Sequence, residues 1–182
     1  MSSELHQKLA DIQLIISDVD GVLTDGSLYI GQGDVELKKF CVADGAAVAL
    51  LRAAGIKLAF ISGRYSKATE RRAKELKVSD VFNGTINKLT PYELLKSKYN
   101  LKDNQIVYIG DDLIDIPVMK KVGVPIAVKN AYPPVKRVAV YTTKASGGNG
   151  AMREAVEWIL KQQNRLTTIL EKLELEIHLS GK

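Results

Sequence analysis

Four polar motifs in this chain each come at or near the end of an apolar run too short for a helix. Leu14-Ile15-Ile16-Ser17 runs into Asp18-Val19-Asp20-Gly21-Val22, and Lys57 to Ile61 runs into Ser62-Gly63-Arg64. Val81-Phe82 is followed a few residues later by Lys88, and Ile106 to Ile109 runs into Gly110-Asp111-Asp112, with Asp115 beyond. Apolar runs of this length without alternation read as strands buried on both faces of a parallel sheet. An open parallel sheet binds its ligands outside the carboxyl ends of its strands. The four motifs are therefore expected at one edge, which would hold two carboxylic acids, a hydroxyl, an ammonium and clustered oxygen ligands for a metal.

The segments between these strands carry helical signals. Asp44 to Ala54 stops at Gly55, Ser66 to Leu76 is basic and amphipathic, and Pro117 sits near another helix start. Thr90-Pro91 reads as a helix start with Thr as cap and Pro at the first position. Ile126 to Val128 and Val138 to Tyr141 look like further strands. The fold class is α/β: a Rossmann-like, open, mostly parallel sheet with helices on both faces, expected as one domain over residues 1–182. Ser27 to Ile30 and Val35 to Phe40 flank Gly31-Gln32-Gly33-Asp34, so residues 27–40 read as a β-hairpin inserted after the first strand, and no large cap domain is present. Ser146 to Gly150 reads as a flexible loop. Beyond it, Val156, Ile159, Leu166, Leu170, Leu173 and Ile177 follow steps of three and four, interrupted at Gln163, as a helix with a narrow apolar seam does. Leu173 to Leu179 also fits strand alternation, and a tail as apolar as 164–182 needs something to pack against.

Composition narrows the function classes. A chain of 182 residues that is 46% hydrophobic can bury one substantial core. Its net charge of +5 is scattered, and aromatics at 6% lack the interleaving that base stacking requires, so nucleic acid is not the expected partner. The lone Cys41 permits no internal disulfide and fits a reducing cytoplasm. Met1 to Asp11 has no signal-peptide pattern and no apolar run approaches membrane-spanning length, so neither export nor a membrane partner is expected.

The residue types suit phosphoryl transfer, which needs charge neutralisation, an aligned nucleophile and a proton for the leaving alcohol. Asp18 and Asp20 lie two apart, so on a strand edge both can face one way while Val19 faces the core. Asp18 would attack phosphorus, and Asp20 would protonate the leaving oxygen and then activate water. An ordinary acidic loop is the alternative for the pair. Ser62, ahead of Gly63 and a helix, offers a hydroxyl beside free N–H groups, or else a helix cap. Lys88 would neutralise the phosphoryl group and Asp18, or be a surface lysine. Asp111, Asp112 and Asp115 offer hard oxygens suited to magnesium, or charge a helix start.

The combination resembles the haloacid dehalogenase-like phosphatase superfamily over nearly the whole chain, and its small, cap-poor branch in particular. The resemblance rests on Asp18 to Gly26, Ser62-Gly63-Arg64, Asn87-Lys88-Leu89, Gly110 to Asp115 and Gly147 to Glu154. It implies Asp18 as nucleophile, Asp20 as acid/base, Ser62 and Lys88 as further catalytic groups, and Mg2+ held by the carboxylates of Asp18 and Asp111 and the main-chain carbonyl of Asp20. Asp112 and Asp115 would stand in an outer shell. Substrate contacts would come from Asp20, Asp44, Gly45, Arg64, Arg72 and Lys88, the arginines matching a sugar-acid carboxylate with a bidentate fork. The implied reaction is hydrolysis of 3-deoxy-D-manno-octulosonate 8-phosphate through an aspartyl-phosphate, in cytoplasmic lipopolysaccharide biosynthesis, by a homotetramer joined through the hairpin.

Two departures bear on the sugar. Cys41-Val42-Ala43-Asp44-Gly45 stands where the branch often has Asn-Val-Arg-Asp-Gly, and Ala49 where a basic residue is common. The alternative substrate is another sugar acid phosphate such as a nine-carbon ulosonate 9-phosphate, whose phosphatases tend to carry an acid at the position of Arg64. From another class, a phospho-accepting signalling receiver uses similar groups, but it puts its acid pair on the first strand and its nucleophile later. A silent binding protein would have lost catalytic positions, and none is substituted here.

Overall fold

The computed structural model describes residues 3–33 and 35–180. Asp34 of the expected hairpin turn lies outside the described residues. One six-stranded sheet, all of whose pairs are parallel, runs in the order β5-β4-β1-β6-β7-β8. Its strands are β1 (Leu14–Ser17), β4 (Lys57–Ser62), β5 (Asp80–Asn83), β6 (Ile106–Gly110), β7 (Val124–Ala127) and β8 (Tyr141–Thr142); β2 (Tyr29–Ile30) and β3 (Glu36–Leu37) form the antiparallel hairpin. The helices are α1 (Ser3–Ala10), α2 (Val42–Ala54), α3 (Lys67–Glu75), α4 (Leu89–Lys98), α5 (Ile116–Met119), α6 (Pro133–Val138), α7 (Ala151–Gln162) and α8 (Leu166–Ser180). α1, α2, α7 and α8 pack together as one layer, while α4, α5 and α6 pack side by side as another.

Register is what positions the site. Ser17 at the end of β1 is opposite Phe60 of β4 and Ile109 of β6, so the three central strands deliver their next residues to one edge. The Asp18 N–H donates to the Ile109 carbonyl (2.9 Å), which extends that register one step into the motif. β1 and β6 are buried along their whole length, as their unbroken apolar runs require. α2 ends where the sequence says it should: Gly55 adopts φ 73°, and its N–H bonds to the Arg52 carbonyl.

Several local expectations differ from what is found. α1 has no counterpart in the sequence reading; its Leu9 is buried. α4 begins at Leu89, so Thr90 is not its cap and Pro91 is the third helical residue, still in the first turn where a missing N–H costs nothing. The run Val138 to Tyr141 is divided between the end of α6 and the start of β8, because Pro133-Pro134 pre-set a helix that reaches Val138. β7 starts two residues early at Val124 and includes Pro125, which is tolerated because β8 pairs only with Ile126 and Ala127. The run from Val156 to Ile177 is two helices, α7 and α8, parted at Asn164 (φ 55°), and the strand reading of Leu173 to Leu179 is not realised. Ile169, rather than Leu170, is the buried member of the first turn of α8.

The glycine loop 146–150 is a loop but not a loose one. Gly147 and Gly148 are buried; Gly148 N–H donates to the Val22 carbonyl (3.0 Å) and Gly147 N–H to Asn130 Oδ1 (2.6 Å). Asn130 Nδ2 in turn donates to the Gly21 carbonyl (3.0 Å). A Cβ on Gly147 would lie 1.8 Å from that same carbonyl oxygen, inside any allowed contact. Gly147→Ala therefore forces the Asp18–Asp25 turn to move, and urea denaturation should show a loss of about 1–3 kcal/mol. An unchanged midpoint would contradict this bracing role.

Candidate functional site

Lys88, just ahead of α4, is not a surface lysine. Its ammonium is buried and sits 2.8 Å from Asp18 Oδ1 and 2.6 Å from Asp115 Oδ1. Burial pulls its pKa down, but the charges of Asp18 and Asp115 outweigh that and hold it above the ordinary lysine value, so it is an ammonium. Asp18 Oδ1 also accepts the Val19 N–H (2.7 Å). Burial, reinforced by the negative Asp115 and only partly offset by Lys88, pushes the Asp18 pKa up to about 7.

Asp115 anchors this group. Its Oδ1 accepts from Lys88 and from the buried Tyr108 hydroxyl (2.6 Å), and its Oδ2 accepts the N–H groups of Asp111 (2.9 Å) and Asp112 (3.0 Å). With two donors on each oxygen it orients the Asp111 loop. Burial and the neighbouring Asp115 and Asp18 charges keep the Tyr108 pKa far above its usual range. Asp112 is exposed and accepts the Leu113 N–H through Oδ1 (2.7 Å), capping the 3-10 turn Leu113–Asp115.

Asp111 lies against Gly21. A Cβ there would fall 2.0 Å from Asp111 Oδ2, so only glycine, here at φ 84°, lets the two loops meet. Burial first, then the charges of Asp18 and Asp115, push the Asp111 pKa up to about 8. Its Oδ1 is buried with no hydrogen-bond partner. Carboxylate oxygens of Asp18, Asp111 and Asp115 lie within 4.8 Å of one another. Three clustered carboxylates against one ammonium, with an orphaned oxygen among them, are a donor set that fits a hard divalent cation such as magnesium.

Asp20 is half-buried at the mouth. Lys38 of the hairpin donates to both its oxygens, at 2.6 and 2.9 Å, and Ser62 Oγ lies 3.4 Å from Oδ2 while donating to the Arg64 carbonyl (2.9 Å). Ser62 is not a cap, since Ser66 holds that position for α3. The Arg64 guanidinium is paired with Glu36 of β3. Asp20 and Arg64 line a cavity of about 480 Å³ together with Asp18, Asp111, Asp112, Leu28, Ile86 and Ile114.

Three expected substrate contacts point elsewhere. Asp44 is buried and accepts N–H groups of Gly150 (3.3 Å) and Arg153 (3.1 Å) at the start of α7; burial raises its pKa. Gly45 makes room for Arg72, whose Nη2 would lie 3.1 Å from a Cβ there. Arg72 bonds Glu75 (2.8 Å) and approaches the Cys41 carbonyl (3.5 Å), facing a separate cavity between the hairpin and α3. Sequence reasoning missed Lys38, Glu36, Tyr108 and Asn130. The alternation Glu36, Lys38, Phe40 on one side of the hairpin was the available signal for the first two.

The four strand-end motifs thus meet around one acidic, lysine-bearing pocket, and Asp18, the candidate nucleophile, comes first in the chain, whereas a signalling receiver puts its acid pair there. Residues 76–154 match the haloacid dehalogenase-like hydrolase model, a span that includes Lys88 and Asp111. The chain belongs to the haloacid dehalogenase-like hydrolases. Within them it is similar to the 3-deoxy-D-manno-octulosonate 8-phosphate phosphatase of Yersinia pestis, 41% identical over 91% of this chain and 89% of that one. The corresponding protein of Escherichia coli K12 is 40% identical over 91% and 88%. The crystal structure of the Moraxella catarrhalis enzyme, in complex with magnesium ion, phosphate ion and KDO, superposes with a TM-score of 0.90 at 39% identity, covering 95% of this chain and 99% of that one.

The raised pKa values of Asp18 and Asp111 set a sign. Unfolded, both carboxyls ionise near 4; folded without metal, they hold protons to about 7 and about 8. The folded state thus binds more protons, and their contribution to stability is lost as pH rises through that window. Mg2+ replaces those protons, so it should raise the melting temperature more at pH 8 than at pH 5, and Asp111→Asn should remove most of the difference. Equal Mg2+ shifts at both pH values would contradict the assignment.

Proposed function

We propose that this chain is a Mg2+-dependent phosphatase that hydrolyses 3-deoxy-D-manno-octulosonate 8-phosphate to the sugar acid and phosphate, a cytoplasmic step of lipopolysaccharide biosynthesis. The single observation that carries the reading is the buried Asp18, fixed through Oδ1 by Lys88 and Val19 N–H beside Asp111, at the floor of the cavity. The similarity to enzymes of that name, one of them in complex with magnesium, phosphate and KDO, supports the substrate.

In the first step Asp18 Oδ2 attacks phosphorus. A P–O bond to the carboxylate forms and the P–O bond to the sugar breaks, its electron pair taking a proton from Asp20. In the second step a water gives a proton to Asp20 and attacks the same phosphorus, releasing phosphate and the Asp18 carboxylate. Lys88 neutralises charge on Asp18 and the phosphoryl oxygens, and Ser62 and the Gly63 N–H hold the phosphoryl group. The carboxylates of Asp18 and Asp111 and the Asp20 main-chain carbonyl would hold magnesium, which would supply positive charge for the phosphoryl oxygens. Asp115 and Asp112 fix the Asp111 loop.

Arg64, at the cavity wall, receives the substrate carboxylate in exchange for Glu36. Asp44, Gly45 and Arg72 act indirectly, by joining α2 to α7 and shaping the hairpin side. The absence of basic groups at Ala43 and Ala49 leaves Arg64 as the main carboxylate reader. The assembly is a homotetramer: the outer face of the hairpin exposes Tyr29 (51%), Ile30 (74%) and Leu37 (62%), and a neighbouring subunit would cover both that face and the open cavity. The lone Cys41 suits the cytoplasm, and among the described residues no helix is long and apolar enough to cross a membrane.

A phosphate-release panel with Mg2+ should show the eight-carbon substrate preferred by kcat/KM over a nine-carbon ulosonate 9-phosphate and over simple sugar phosphates; equal rates on all would reduce the reading to a general phosphatase. Asp18→Asn should lower kcat by about 10^4-fold or more with an unchanged circular dichroism spectrum. Sedimentation should give four times the chain mass, and Ile30→Glu with Leu37→Glu should give smaller species; a wild-type monomer at working concentration would refute the assembly.

A further inference from the structure

The hairpin is an insertion beside the sheet, yet it sends one side chain into the reaction centre. Along Val35 to Phe40 exposure alternates: Val35, Leu37 and Lys39 face outward, while Glu36, Lys38 and Phe40 face inward. Lys38 goes deepest. Its side chain is fully buried and its ammonium lies 2.6 Å from Asp20 Oδ1 and 2.9 Å from Oδ2. Thr69 Oγ1 of α3 is 3.4 Å away, and among the described residues Asp20 is the carboxylate that Lys38 pairs with. A buried ammonium is costly unless paired, so this contact holds the hairpin, α3 and the Asp18–Asp20 turn in one arrangement.

We propose that Lys38 is a positioning residue for proton transfer: it seats Asp20 for the leaving oxygen and stabilises the carboxylate that forms as the proton departs. The proposal rests on Asp20 acting as the acid. In that step Asp20 goes from neutral to anionic while the P–O bond to the sugar breaks and its oxygen gains the proton. A fixed cation at hydrogen-bond distance, shielded from water, favours the charged product without reorganising at the moment of reaction. Ser62 supplies a hydroxyl at longer range, so Lys38 is the principal partner of Asp20.

The test compares two leaving groups in the full-length, Mg2+-loaded enzyme. 3-Deoxy-D-manno-octulosonate 8-phosphate releases an alkoxide that needs a proton; 4-nitrophenyl phosphate releases a phenolate that needs none. Lys38→Met keeps the buried stem and removes the charge. It should lower kcat on the sugar phosphate at least ten-fold more than on the nitrophenyl ester, and Lys38→Arg should restore part of that ratio. Asp20→Asn is the reference. If Asp20→Asn shows the selective loss and Lys38→Met lowers both substrates equally or neither, the proposal is overturned while the acid role of Asp20 stands. If Asp20→Asn is itself unselective, the acid assignment fails and Lys38 with it. Should Lys38→Met lose the near-ultraviolet dichroism of the wild type, Lys38→Gln is read instead; loss of fold in both makes Lys38 purely structural and also overturns the proposal.

Discussion

One buried ammonium organises this site. Lys88 sits between Asp18 and Asp115, at 2.8 and 2.6 Å; Lys88 and Asp115 are enclosed, while Asp18 opens onto the cavity. Without it, Asp18, Asp111 and Asp115 would be three carboxylates within 4.8 Å of one another, an arrangement burial alone opposes. With it, one charge is neutralised and the remainder suits a divalent cation. Breaking a buried pair of this kind by removing one partner typically costs about 3–5 kcal/mol, so the contact that prepares the chemistry also ties β1, β6 and the start of α4 together.

The rest of the architecture brings loops close enough for that contact to form. Parallel pairing aligns the ends of β4, β1 and β6, and glycines then allow approaches that no other residue permits. Gly21 meets Asp111, and a Cβ on Gly110 would lie 2.7 Å from the Asp115 side chain. Gly63 sits where a Cβ would come 2.6 Å from Ile114 Cδ1. Three of the four strand-end motifs therefore contain a glycine that removes bulk between neighbouring loops of the site. Asn130 and the buried glycine loop hold the Asp18 turn from behind through the Gly21 carbonyl.

Much of this was legible because it is written in local pattern. Unbroken apolar runs mark β1, β4 and β6, and a carboxyl-end rule for parallel sheets then gathers Asp18, Ser62, Lys88 and Asp111 without any knowledge of distances. What escaped was set by tertiary contact. α1 is short, and its place depends on packing against α7. Val138 is apolar in either a strand or a helix, and Pro133-Pro134 decided the matter. Asp44 carries the charge of a binding residue, but the orphan N–H groups at the start of α7 claim it. The resemblance implies a sugar contact for Arg72, whose guanidinium here meets Glu75 and the Cys41 carbonyl. Alternation along the hairpin can put Lys38 on the inner side, but only the folded hairpin brings it within reach of Asp20.

The hairpin thus belongs to the site in a way that its sequence as a polar, glycine-turned insertion only half suggests. Its inner side touches Asp20 and Arg64, and its outer side is apolar. The account as a whole stands on convergence at one cation, and anomalous diffraction from a crystal grown with Mn2+ in place of Mg2+ tests that most directly. It predicts a single strong peak among the described residues, bonded to carboxylate oxygens of Asp18 and Asp111 and to the Asp20 carbonyl, with Asp115 still bound to Lys88. A peak coordinated by Asp115 or Asp112 instead, or none between Asp18 and Asp111, would contradict it.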